Sequence, residues 1–284
     1  VAQGHEVRVL TRDKTLEIET VKVYCGDLND LNYDLSHFLN DIDVLYHCAG
    51  VTQDKTLMYR THVEGTRRLV DASKGQVKLW IQLSSVGAYG KTKQRLISEN
   101  SIELPKDLYE ETKTQSDEII RKRELKFVIL RPSIVFGKQM KNQSLFQLIK
   151  MIEKNIFFYI GKPGALMNYV HVDDVVSAMM LCSKSKKAQG NSYIISQNIT
   201  IEKMVKTINI CHNLNKKIRR IPKWTIQIPT FFLSRIPKFP LTISRINALT
   251  SFNYYNSSKI QTELGFRYSA VLEEQIKLLS KKEK

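Results

Sequence analysis

The chain has 284 residues, 42% hydrophobic and 25% charged, with Lys+Arg 44 against Asp+Glu 28 and a formal charge of +16. Such a composition can bury a core and excludes disordered, collagen-like and low-complexity classes. Four scattered cysteines (Cys25, Cys48, Cys182, Cys211) without a C-x-x-C exclude a disulfide scaffold and a zinc or other metal site, and no apolar run of about 18 residues marks a bilayer span, so a soluble cytoplasmic protein is expected.

In chain order, Val1 to Glu6 reads as the end of a helix turning into a strand. Short, almost wholly apolar runs follow at Val7–Leu10, Val21–Tyr24, Val44–His47, Leu79–Leu83 and Phe127–Leu130. That pattern predicts parallel strands covered on both faces. Helical patterns lie between them at Leu35–Leu39, Leu57–Ser73 and Tyr109–Glu124. The alternation predicts an α/β fold with a doubly wound, Rossmann-type parallel sheet over residues 1–137. Beyond Gly137 the rhythm changes. Helices are predicted at Leu145–Lys154, Val172–Ser183 and Ile201–Cys211, with a short strand at Tyr193–Ile195, so residues 138–284 read as a smaller α/β substrate-binding region packed on the first.

The charge is uneven. From Lys203 to Thr262 there are eleven Lys/Arg and no Asp or Glu. This stretch could be a solvated face, or it could attract a phosphorylated small molecule, nucleic acid or an acidic membrane surface. No nucleic-acid recognition motif appears, and none is expected to bind.

The most informative spacing is Tyr109-Glu-Glu-Thr-Lys113. Residues i and i+4 share a helix face, so a phenol and an ammonium can enter one cleft, where the cation would favour phenolate. Upstream, Ser84 and Ser85 end a predicted buried strand, where open α/β sheets place their ligands. A hydroxyl there could bind a substrate alcohol while Tyr109 moves its proton, although two serines could equally form a simple strand-end turn.

With these motifs the chain resembles the extended short-chain dehydrogenases/reductases of the NAD-dependent epimerase/dehydratase family. Gly26-Asp27-Leu28 resembles the turn that holds the adenine. Tyr46-His47-Cys48-Ala49-Gly50 resembles the loop beneath the cofactor, and His62-Val63-Glu64-Gly65-Thr66 the helix motif after it. Leu130 to Gly137 resembles the strand and loop beside the nicotinamide. Tyr169 to Val175, and Ser258-Lys259 with Leu264-Gly265-Phe266, resemble the signatures of the second half. The resemblance implies Ser85, Tyr109 and Lys113 as the catalytic set. It implies cofactor contacts at Thr11, Arg12, Asp27, Leu28, Cys48, Ala49, Gly50, His62, Tyr109, Lys113, Pro132 and Ser133. His62 stands where the family usually has Asn, and reads as a polar swap at a backbone contact. Thr11-Arg12, lacking an acidic residue for the ribose hydroxyls, favours NADP over NAD.

Two departures matter. No G-x-x-G-x-x-G or G-x-G-x-x-G occurs, so a fragment lacking its first strand and glycine loop is expected, with a gap in mid-sheet and poor dinucleotide binding. Family dehydratases carry an Asp-Glu pair after the catalytic hydroxyl residue, and here Val86 and Gly87 cannot move protons. Hydride chemistry is left: epimerisation or reduction of a nucleotide-diphosphate sugar, with Ser84, Ser85 and Arg245 touching substrate and Arg219 and Arg220 behind. The alternatives are reduction of a hydrophobic alcohol or ketone, and a non-catalytic cofactor sensor. Trp224, Phe231, Phe232, Leu233 and Phe239 could line an apolar pocket. Interleaved with Lys223, Arg235 and Lys238, they could also rest on an acidic membrane surface. Related proteins are often dimers, so a homodimer is a further expectation.

Overall fold

A computed structural model describes residues 4–90, 94–140, 144–214, 217–226 and 243–280. In chain order it includes β1 (Val7–Thr11), β2 (Val21–Cys25), α1 (Ser36–Leu39), β3 (Ile42–His47), α2 (Lys55–Tyr59), a π-helical turn (Arg60–Glu64), α3 (Gly65–Ala72) and β4 (Val77–Leu83). A 3₁₀ turn (Val86–Tyr89), β5 (Leu96–Ile97), α4 (Leu108–Arg121), β6 (Phe127–Pro132) and β7 (Ile134–Phe136) follow. Then come α5 (Ser144–Glu153), β8 (Tyr159–Ile160), β9 (Leu166–His171), α6 (Val172–Lys184), β10 (Asn191–Ile195), β11 (Gln197–Thr200) and α7 (Ile201–Cys211). The last elements are β12 (Arg220–Ile221), α8 (Ile243–Leu249), β13 (Tyr254–Tyr255), α9 (Ser258–Leu264) and α10 (Leu272–Ser280).

The chain divides into two compact units. The first comprises Val1–Lys91, Ile102–Arg131 and Leu181–Tyr193, the second Thr92–Ser101, Pro132–Met180 and Ile194–Lys284. A single crossing after Gly137 is therefore replaced by several. The physical reason lies in α6, which returns the chain so that β10 can join β6 in the sheet of the first unit.

In the first unit, β3, β4 and β6 pair in parallel, and the strand order is β10-β6-β4-β3. Trp80, Ile81, Val128, Ile129 and Leu130 are almost wholly removed from solvent, which explains why these strands read as continuous apolar runs. One face packs Leu45 and Trp80 against Leu35 and Leu39, Leu69 and Val70 of α3, and Ile120 of α4. Each such side chain contributes roughly 1.5–3 kcal/mol of burial energy. β1 and β2 form a separate parallel pair, and among the described residues no ladder joins them to β3.

The second unit is built on the order β11-β9-β7, with β9 parallel to β7 and antiparallel to β11. Phe136, Tyr169 and Ile199 on these strands meet Leu145 and Ile149 of α5, Met204 and Ile208 of α7 and Ile276 of α10. The helices start where the sequence places caps: Thr200 accepts the Lys203 amide at 3.2 Å to open α7.

Candidate active site

α4 begins at an N-cap, Asp107, whose carboxylate accepts the Glu110 amide at 3.0 Å, with Glu110 and Glu111 in the first turn. The cap fixes the phase of the helix, and with it the face that carries Tyr109, Lys113 and Asp117. Opposite, β4 ends at Leu83 and the chain tightens into the 3₁₀ turn capped by Ser85, whose Oγ accepts the Gly87 amide at 3.0 Å. Gly90 closes that turn at φ +59°, where a Cβ would lie 1.7 Å from the Leu104 carbonyl oxygen. Only glycine fits there.

The Ser85 hydroxyl lies close enough to the Tyr109 phenol to pull its pKa down. Lys113 is buried and donates through Nζ to the Leu83 carbonyl at 2.7 Å. The three expected catalytic side chains are thus gathered at the C-terminal end of β4. The expected electrostatics need correcting, however. Burial pushes the Tyr109 phenol above its ordinary value, Ser85 pulls it back, and Asp107 and Asp117 push it further up. Burial also lowers the Lys113 ammonium against the pull of Asp117 and Cys48. The i, i+4 spacing puts Tyr109 and Lys113 on one face of α4, and the ammonium is turned onto the Leu83 carbonyl.

His62 sits on the π-helical turn, 1% exposed. Its Nε2 accepts the Val51 amide at 2.9 Å and its Nδ1 lies 2.8 Å from Thr112 Oγ1. An amide can only donate, so Nε2 carries no proton; Nδ1–H then donates to Thr112, which donates to the Leu108 carbonyl at 2.7 Å. Burial first, then Lys113, lowers the imidazole to about 4. Both ring nitrogens are used inside the protein, so the expected contact to the cofactor gives way to a backbone contact. Gly50 lies against this ring, and a Cβ there would come within 3.5 Å of Nε2. Cys48 and Ala49 precede it at the end of β3, close enough for Cys48 to act on Lys113.

Ser84 departs from expectation. It is 4% exposed and its Oγ donates to Asp117 Oδ2 at 2.7 Å, so its hydroxyl is committed within the protein rather than to substrate. The same oxygen accepts Arg131 at 2.9 Å, and Arg131 also reaches Glu103 at 2.7 Å. Neither Asp117 nor Glu103 was among the candidate residues. The signal was present: Asp117 lies one turn beyond Lys113 on the same helical face, and a buried Arg131 requires carboxylate partners. A second buried chain runs from Trp80 Nε1 to Gln82 (3.0 Å), Gln82 to Ser116 (2.8 Å), Ser116 to Thr66 (3.0 Å) and Thr66 to His47 Nε2 (2.8 Å). Burial, then Lys113 and His62, lowers His47 to about 3.

At the other end of the first unit, Thr11 Oγ1 accepts the Asp13 amide at 3.1 Å, and exposed Arg12 lies 3.9 Å from Asp27. Asp27 accepts the Asn29 amide at 2.9 Å, and Leu28 packs against Gly65. The Tyr33 ring covers Gly26 so closely that a Cβ would fall 2.3 Å from it. Asp27 and Leu28, expected at the adenine, lie on this turn after β2, whereas Tyr109 and Lys113, expected at the nicotinamide ribose, lie on α4. For the pyrophosphate, the described residues offer no glycine-rich loop before a helix.

In the second unit Pro132 and Ser133 are buried, and the Ser133 amide donates to Ile195 at 3.0 Å. Arg245 is exposed on α8. Arg219 is exposed, Arg220 pairs with Glu202, and Lys223 donates to Asn247 at 3.1 Å. Trp224 is 66% exposed. Phe231, Phe232, Leu233, Arg235, Lys238 and Phe239 lie outside the described residues. A cleft of about 810 Å³ opens between the loop after β7, the start of α6 and α10.

The chain is 27% identical over 206 residues to the N-acetyl-alpha-D-glucosaminyl-diphospho-ditrans,octacis-undecaprenol 4-epimerase of Escherichia coli O157:H7, covering 68% of this chain and 61% of that relative. It is 24% identical over 273 residues to the UDP-glucose 4-epimerase of Vibrio cholerae, covering 89% and 80%. The fold is similar to that of UDP-glucuronic acid 4-epimerase from Bacillus cereus in complex with NAD, with a TM-score of 0.71 and 19% identity over 93% of this chain and 79% of that one. The model of the NAD dependent epimerase/dehydratase family matches residues 1–196, a span that includes Ser85, Tyr109 and Lys113, and the chain belongs to that family.

Proposed function

We propose that this protein inverts, or reduces to, a secondary alcohol on a nucleotide-diphosphate sugar. The observation that carries the reading is the Ser85 hydroxyl acting on the Tyr109 phenol, with buried Lys113 one turn along the same helix, and no acid at positions 86 and 87 to eliminate water. Val86 and Gly87 stand where a dehydratase needs its acid and base. The carboxylate packed over Gly87 belongs to Glu110, and it accepts the Lys106 amide at 2.9 Å to close the α4 cap.

When bound, the nicotinamide supplies the hydride acceptor and donor. Tyr109 Oη takes the hydroxyl proton as the alcohol is oxidised and returns it on reduction. Ser85 Oγ, held by the Gly87 amide, keeps its own proton to donate to the substrate oxygen or to Tyr109. Lys113, which spends one hydrogen on the Leu83 carbonyl, would hold the ribose with the others.

For the diphosphate, Arg245 is the proposed clamp. We further infer that Arg12 admits a 2′-phosphate, so that NADP is accepted beside NAD. Arg12→Glu should then raise the Kd for NADP about tenfold and leave NAD unchanged; equal effects on both would remove this assignment. Exposed Trp224, among Lys217, Arg219 and Lys223, favours peripheral contact with acidic lipid, to be checked by sedimentation with phosphatidylglycerol vesicles at low and high salt.

The test of the main reading is incubation of the full-length protein with UDP-sugars and NAD or NADP, with NMR for the sugar and absorbance for the cofactor. A new epimer without net cofactor change marks an epimerase, and stoichiometric cofactor turnover a reductase. Turnover that survives Tyr109→Phe would sink the mechanism.

A further inference from the structure

The π-helical turn Arg60–Glu64 interrupts an otherwise continuous helix, with the Gly65 amide reaching back to the Arg60 carbonyl. Such a bulge costs backbone regularity and tends to be kept where a side chain must be aimed. The side chain it aims is His62.

Three contacts converge on that imidazole. Nε2 holds the Val51 amide, at the end of the loop that follows β3. Nδ1 holds Thr112, between Tyr109 and Lys113 on α4. The ring meets the Tyr109 ring edge to face, with centroids 5.6 Å apart and planes at 82°. Within the first unit, one buried ring therefore links the loop proposed to underlie the cofactor with the helix that carries the acid/base.

Resting on the site proposed above, we propose that His62 is a positioning residue: it sets the spacing between the Cys48–Val51 loop and the Tyr109–Lys113 face. It does so through two separable hydrogen bonds. The atoms also define how to separate them. An asparagine amide reaches only as far as the Nδ1 position of histidine, whereas a glutamine amide reaches the Nε2 position. His62→Asn should therefore keep the Thr112 contact and lose Val51, and His62→Gln should keep Val51 and lose Thr112.

The experiment compares wild type, His62→Gln and His62→Asn in the full-length protein. It measures the Kd for NAD, kcat on the sugar substrate, Tm, and Val51 amide exchange by ¹⁵N NMR. His62→Gln should keep Val51 protected and NAD affinity within about threefold, while kcat falls about tenfold through misplacement of Tyr109. His62→Asn should expose Val51 to exchange and weaken NAD about tenfold, because the loop is no longer pre-organised. If both variants lose the same Tm and show no difference in Kd, kcat or Val51 exchange, His62 only fills space and the inference fails. If wild type binds no dinucleotide while Val51 remains protected, the proposed function fails and takes the positioning role with it.

Discussion

At the scale of single residues, the site depends on burial as much as on charge. Tyr109 is held above its ordinary value chiefly by burial, so in the oxidising direction the rate should climb with pH through and beyond neutrality, as more phenolate forms. Tyr109→Phe should remove about 10²–10⁴-fold of turnover with a much smaller change in NAD affinity, measured by steady-state kinetics and calorimetry. Beneath the site, Asp117 answers both Ser84 and Arg131, and Arg131 is wholly buried. Asp117→Ala should cost about 3–5 kcal/mol, seen as a lower denaturant midpoint, because it leaves a buried cation short of a partner. Pairing Asp117→Leu with Arg131→Met should cost less than the single change, since no charge is then stranded.

At the scale of elements, much of the first unit was legible. The apolar runs became β1, β2, β3, β4 and β6, and the pattern from Leu57 to Ser73 became α2, the π turn and α3. The π turn itself was not legible, because one residue of extra winding leaves no mark on hydrophobic periodicity. β9 and β11 also escaped. β11 offers only one buried apolar residue, Ile199, and that strand exists through its antiparallel register with β9, Ile199 opposite Met167. In the site, the motif Tyr109…Lys113 could be read because a helix fixes i, i+4 neighbours. The partners of Ser84 and His62 could not, because Asp117 and Thr112 are brought to them by tertiary packing. The turn after β4 gives a direct check. Gly90→Ala sets a methyl against the Leu104 carbonyl at positive φ, so it should cost at least about 1–3 kcal/mol and lower the Tm even though no catalytic side chain changes.

For the whole molecule, two histidines are buried as neutral rings, lowered to about 3 for His47 and about 4 for His62. Unfolding returns both towards the ordinary 6.5. The unfolded chain therefore binds more protons between these values. The stability they confer is complete above 6.5, falls as the pH drops, and is lost once it passes the folded values. Urea midpoints should fall steeply from pH 6.5 to pH 4, with an upper limit of about 2.7 kcal/mol per pH unit while both rings resist protonation. His47→Gln should flatten that slope, and an unchanged slope would mean that other groups govern acid unfolding.

The separate ribbon of β1 and β2 carries a consequence for motion. Among the described residues β1 and β2 hydrogen-bond each other and share no ladder with the four-stranded sheet, and a two-stranded pair is marginal alone in water. In the 284-residue chain the ribbon should thus open as its own cooperative unit, at a smaller free energy than global unfolding. Its amides should exchange with deuterium well before those of β4 and β6. Asp27 and Leu28 follow this ribbon, while Ser85 follows the buried strand β4 and Tyr109 and Lys113 stand on α4 of the same unit. Recognition of one end of the cofactor would then be coupled to the ordering of a loose ribbon, and the chemistry at the other end to a fixed frame.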